Sequence, residues 1–179
     1  VSTMSSTVIT NNSSSVLFTV TEDTTNHIDI SGVKVSSGTG AGNVFYLSRT
    51  TNGKAIFLHD NWLEQGGNGG TTVDGNTSRG VIWNTSFDSS PFAASNTQAF
   101  RTKDSNGSAM GTSWTTPSTM GTADATGESN FYIEDSDFHA FLGFMDLDDN
   151  SRTVFRYNFL NNAGGASHGA DTSNFGLRH

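Results

Sequence analysis

An eight-residue pattern recurs in this chain: apolar, any, apolar, any, small or polar, polar, any, apolar. Its copies are Ile28–Val35, Ile56–Leu63, Gly80–Phe87, Phe131–Phe138 and Thr153–Leu160, with third positions at Ile30, Leu58, Ile82, Ile133 and Phe155. Alternation with period two marks a strand, the polar residue marks a bend, and the final Val, Leu or Phe re-enters the core. Successive copies are about two dozen residues apart, the length of one solenoid coil built from three short strands and their turns. Between Ile82 and Ile133 the interval is about twice as long, which is one coil carrying an insertion or two coils. The pattern predicts an all-β fold, a right-handed parallel β-helix (β-solenoid) of about five coils. A β-sandwich with regularly spaced strands is the competing architecture, but it gives no reason to repeat one corner chemistry in register. The corner residues Asn61, Thr85, Ser136 and Asn158 would lie about 4.8 Å apart, where amides and hydroxyls can hydrogen-bond along a ladder.

Further short strands are expected at Val44 to Leu47, Thr72 to Asp74, Gln98 to Arg101 and Ala140 to Leu142, with Gly-rich turns such as Gly66 to Gly70 between them. The whole chain, residues 1–179, reads as a single domain with a long inter-coil insertion at about 101–130. Phe175 to His179 looks like the opening of a sixth strand without its corner. The sequence therefore predicts a fragment of a longer solenoid that associates through an uncapped end.

Composition agrees with a thin interior. Hydrophobic residues make up 33%, there are 20 Gly and only 2 Pro, and no cysteine is present to form a disulfide framework. A net charge of −8 with only 9 Lys and Arg argues against a nucleic-acid partner, since phosphate binding needs clustered cations. No apolar run approaches the ~20 residues of a membrane helix, so no membrane insertion is expected.

The copies at Ile56–Leu63, Gly80–Phe87, Phe131–Phe138 and Thr153–Leu160 resemble coils of the pectin-lyase-like right-handed β-helix superfamily, in particular its bacterial secreted branch. The resemblance spans nearly the whole chain. It implies an extracellular or cell-surface protein that acts on or binds polysaccharide, either as a polysaccharide lyase of pectate-lyase type or as a non-catalytic carbohydrate-binding or adhesin-like solenoid. A glycoside hydrolase is the weaker enzymatic reading. Asp146 to Asp149 followed by His168 resembles the paired Asp and Gly-His-Gly of polygalacturonases, but that family's Asn-Thr-Asp and Arg-Ile-Lys segments are missing.

Two-residue alternation turns the fourth position of each copy outward, so Ser31, His59, Trp83, Glu134 and Arg156 are expected in one row. His59, Trp83 and Glu134, with Trp114 from the insertion, are the candidate substrate-binding residues. They combine stacking surfaces with groups able to hold a sugar or move a proton. A plain cross-strand ion pair between Glu134 and Arg156 is the alternative. For lyase chemistry, Lys103, Arg152, Arg156 and His168 are the candidate catalytic residues, with Asp146, Asp148 and Asp149 as oxygen ligands for Ca²⁺. Asp135 and Asp137 are further possible ligands. The neighbouring outward row, Asp29, Phe57, Val81, Tyr132 and Val154, is largely apolar. It predicts cover by the insertion or by a second subunit, a homo-oligomer through Phe57, Val81, Tyr132 and Val154.

Overall fold

A computed structural model describes residues 9–10, 15–36, 42–65, 70–89, 98–103, 131–141, 144–148 and 153–163. Among them the chain forms β-strands and no helix. Sheet 1 holds β2 (Phe18–Thr21), β5 (Phe45–Ser48), β8 (Thr71–Asp74), β11 (Gln98–Lys103) and β14 (Met145–Asp148). Sheet 2 holds β3 (Ile28–Ser31), β6 (Ile56–His59), β9 (Gly80–Trp83), β12 (Phe131–Glu134) and β15 (Thr153–Arg156). Sheet 3 holds β1 (Ile9–Thr10), β4 (Lys34–Ser36), β7 (Trp62–Glu64), β10 (Ser86–Asp88), β13 (Asp137–His139) and β16 (Phe159–Asn161). The chain visits sheets 1, 2 and 3 in turn, and every pairing between described strands is parallel. The architecture is a parallel β-solenoid, and the parallel pairing removes the sandwich alternative.

The repeat sets the register. Ile30 lies beside Leu58, Leu58 beside Ile82, Ile82 beside Ile133 and Ile133 beside Phe155, so the third positions form one inward column. A second column in sheet 3 runs Val35, Leu63, Phe87, Phe138, Leu160. Each fully buried Leu, Ile or Phe contributes about 1.5–3 kcal/mol, and stacking adds to it where Phe87 and Phe138 lie 4.7 Å apart and within 5° of parallel. Phe138 also meets Phe144 and Phe155. Aromatic volume thus replaces the thicker core that the composition denies this chain.

The long interval resolves as one coil with an insertion, because Gly80 pairs directly with Phe131 across β9 and β12. Glycine is required at that strand start, since a Cβ there would overlap the carbonyl oxygen of Ile56 in the coil before. Strand β11 continues to Lys103, two residues past the end expected at Arg101. The strand expected at Ala140 to Leu142 lies instead at Met145–Asp148. Ala140 takes a left-handed φ of 62° that ends strand pairing, and β14 is the segment that pairs with β11. Strands β1 and β2 had no counterpart in the repeat. Phe175 to His179 and most of 101–130 lie outside the described residues.

Every corner between sheets 2 and 3 turns on the fifth residue of the repeat. Gly32, Asp60, Asn84, Asp135 and Tyr157 all have left-handed φ, from 45° to 69°, a region that Gly, Asn and Asp enter most cheaply. The sixth residue then points inward. Asn61 Oδ1 accepts from the Val33 amide at 2.9 Å while its Nδ2 donates to the Ile30 carbonyl at 3.2 Å. Asn158 does the same for Ser136 N at 2.9 Å and Ile133 O at 2.8 Å. Ser136 Oγ accepts from Thr85 N at 3.2 Å and donates to Glu134 O at 2.8 Å. The corner residues are stacked as expected, but their side chains bond main-chain groups of their own or the preceding coil in place of one another.

Candidate functional site

The outer face of sheet 2 carries the candidate row. Ser31 pairs with His59, His59 with Trp83, Trp83 with Glu134 and Glu134 with Arg156, in register across all five coils. None of these five residues is buried, so the alternation read from the sequence holds.

His59, Trp83, Glu134 and Arg156 are each engaged by a neighbour. The His59 ring stacks on Trp83 with centroids 4.2 Å apart and planes within 9°, so one face of the indole is covered. His59 Nε2 lies 2.8 Å from Asp29 Oδ1 and Nδ1 lies 2.6 Å from Asp60 Oδ2. Partial burial pulls the imidazole pKa down, but the hydrogen bond to Asp60 and the charge of Asp29 outweigh it and raise the value. The bond from His59, and a second from Asn84 Nδ2, lower the Asp60 pKa. Both shifts favour an imidazolium donating to two carboxylates. At the other end Arg156 grips one carboxylate oxygen, with Nη2 at 2.6 Å and Nε at 2.7 Å from Glu134 Oε1. The guanidinium also lies 5.6 Å from the Tyr132 ring.

The apolar row beside it is in register as expected. His27 stacks on Phe57 at 5.0 Å, Trp83 meets Phe57 edge-on at 5.9 Å, and Tyr132 is only 7% exposed. Neighbours within the described coils thus supply part of the cover assigned to an insertion or a subunit.

The candidates on β11 and β14 belong to a different sheet. Asp146 and Asp148 lie on β14 of sheet 1, in register with Arg101 and Lys103 of β11. Asp146 is buried, accepts from Gln98 Nε2 at 2.7 Å and has Arg101 Nε at 3.8 Å. A carboxylate held between an amide and a guanidinium does not fit a Ca²⁺ site, which needs oxygen ligands converging without a competing cation. Among the described residues no three acidic or histidine side chains gather in a metal-binding arrangement. Of Lys103 and Asp148 only the backbone is described, and Trp114, Asp149, Arg152 and His168 lie outside the described residues.

Two outward residues of the last described corner carried no sequence expectation. Tyr157 and Phe159 are 76% and 59% exposed. A signal was available: Tyr157 occupies the position that is Gly, Asp, Asn and Asp in the other copies, and bulky residues are costly there.

Fold and face together define the class, a parallel β-solenoid with a self-paired polar row on one sheet. Compared with protein-family models, curated proteins and solved structures, the chain matches none.

Proposed function

We propose that this chain is part of an extracellular, polysaccharide-binding β-solenoid of the pectin-lyase-like kind that holds its glycan without cleaving it. One observation carries the reading: the groups suited to acid–base work on the outer face are committed to each other, Glu134 to Arg156 and His59 to Asp29 and Asp60. A proton-transfer catalyst needs its base within reach of the substrate proton and free to take it. Here both carboxylate and cation would first have to break an ion pair. The net charge of −8 further disfavours a polyanionic glycan, which the protein's field would repel, and favours an uncharged one.

The test is incubation of the full chain with polygalacturonate, with and without Ca²⁺, and with neutral polysaccharides. Retention on neutral glycans with neither new ultraviolet absorbance nor new reducing ends is the expected result. Unsaturated, absorbing products that require Ca²⁺ would replace this reading with a lyase; reducing ends without absorbance would replace it with a hydrolase.

A further inference from the structure

Two exposed rings lie at the corner of the last described coil. Tyr157 turns the corner and is 76% exposed; Phe159 is the first residue of β16 and is 59% exposed. In the coil before, Asp137 stands in register with Phe159, while Asp135 occupies the corner position corresponding to Tyr157. Both carboxylates are exposed.

The fold does not account for Tyr157. Its φ of 59° is left-handed, where a bulky side chain is unfavourable and Gly, Asn or Asp, used at the other corners, would serve better. It buries little in return, since its one described ring contact is the Arg156 guanidinium at 5.6 Å. Trp83, the aromatic residue singled out from sequence, has one face covered by His59 at 4.2 Å, whereas Phe159 meets the His139 ring only at 6.4 Å and both corner rings stay more than half exposed.

We propose that Tyr157 and Phe159, with Asp135 and Asp137, form a binding patch for an uncharged polysaccharide. The rings would offer apolar faces to the C–H surface of pyranose units, and the carboxylates would accept hydrogen bonds from sugar hydroxyls. The pairing of stacking faces with acceptors distinguishes this occupant from a purely apolar partner, and the adjacent acids repel anionic sugars. The inference rests on the polysaccharide-binding reading and moves the site from the Trp83 row to the corner.

The experiment is affinity electrophoresis of the full chain in gels containing hydroxyethylcellulose, laminarin, galactomannan or polygalacturonate, comparing wild type with Tyr157→Asn and Phe159→Ser. Asn suits a left-handed corner, so Tyr157→Asn is expected to keep or raise the melting temperature, and a binding loss then cannot be blamed on unfolding. At least one neutral polymer should retard the wild type, with each variant at least tenfold weaker and polygalacturonate without effect. Retardation of wild type and variants alike would overturn the patch and leave the polysaccharide reading standing. Retardation by none of the polymers removes both. If Tyr157→Asn instead turns an oligomer into a monomer in sedimentation, the rings serve a protein contact and the proposal fails.

Discussion

Two corners of the solenoid solve the same problem by different means. Between sheets 2 and 3 the chain repeats one neutral device, a left-handed residue followed by an inward Asn, Thr or Ser that bonds the main chain. Between sheets 1 and 2 the described residues form an ionic clamp spanning three coils. Buried Glu22 accepts from Thr50 N at 3.2 Å and from Arg79 N at 3.0 Å, and pairs with Arg79 Nη2 at 3.1 Å. Arg79 also donates to the Gly53 carbonyl, and Gly53 carries no Cβ because one would overlap Glu22. The repeated device spreads its stabilisation in small equal shares; the clamp concentrates it in one place where every member depends on the others.

The largest effect should follow from breaking the clamp. Glu22→Ala leaves Arg79 largely buried without its carboxylate, and removal of one partner of a buried pair costs about 3–5 kcal/mol. Urea unfolding should show a fall of that order, with Arg79→Ala costing less when added to Glu22→Ala than alone. Additive losses would mean that the two side chains act separately and that the corners do not differ in kind. Gly53→Ala comes next, about 1–3 kcal/mol from overpacking against Glu22, and it should cost markedly less in the Glu22→Ala background, where the space is free.

The repeated corner should respond differently. Asn61→Ala removes partners from Val33 N and Ile30 O, a loss of about 1–3 kcal/mol, and Asn158→Ala, less buried in the last described coil, should cost less. Because the two sites are coils apart with no shared partner, the double variant should match the sum within about 0.5 kcal/mol. Strong coupling between them in denaturant titrations would show that the ladder acts as one unit, like the clamp.

The difference between the corners also explains what the sequence could disclose. A device present in every coil leaves a periodic trace, so Asn61, Thr85, Ser136 and Asn158, and the inward column from Ile30 to Phe155, are legible without coordinates. Glu22, Gly53 and Arg79 occur once each, at no common offset within the repeat, and only the folded register brings them together. The same holds for the outer face. Alternation placed His59, Trp83, Glu134 and Arg156 in one row, but whether they pair with one another or with a ligand depends on rotamers and neighbours that no pattern encodes. Asp60 was visible only as a polar position of the repeat, and its roles as partner of His59 and of Asn84 were not legible. The strand expected at Ala140 was misplaced because Phe141 carries the apolar signal, whereas pairing resumes only at Met145.

The smallest expected effect joins the repeated corner to pH. His59 donates to Asp60, a corner residue, and to Asp29 in the preceding coil, and its folded-state pKa lies above the ordinary value of 6.5. A raised histidine pKa means that folding is favoured more when the ring is protonated. The contribution is fully present below the unfolded value near 6.5, down to the carboxylate range, and is lost as pH rises through the folded value. Solvent reaches both carboxylates, so the change in stability should be smaller than that from Asn61→Ala. The stack on Trp83 offers a more sensitive readout, because a protonated imidazole in ring contact quenches indole emission. Tryptophan fluorescence should therefore rise with pH, with a midpoint above 6.5, and His59→Gln should abolish the step. A midpoint at or below 6.5, or an unchanged step in His59→Gln, would show that Asp29 and Asp60 do not hold the proton, and that the corner contributes main-chain satisfaction alone.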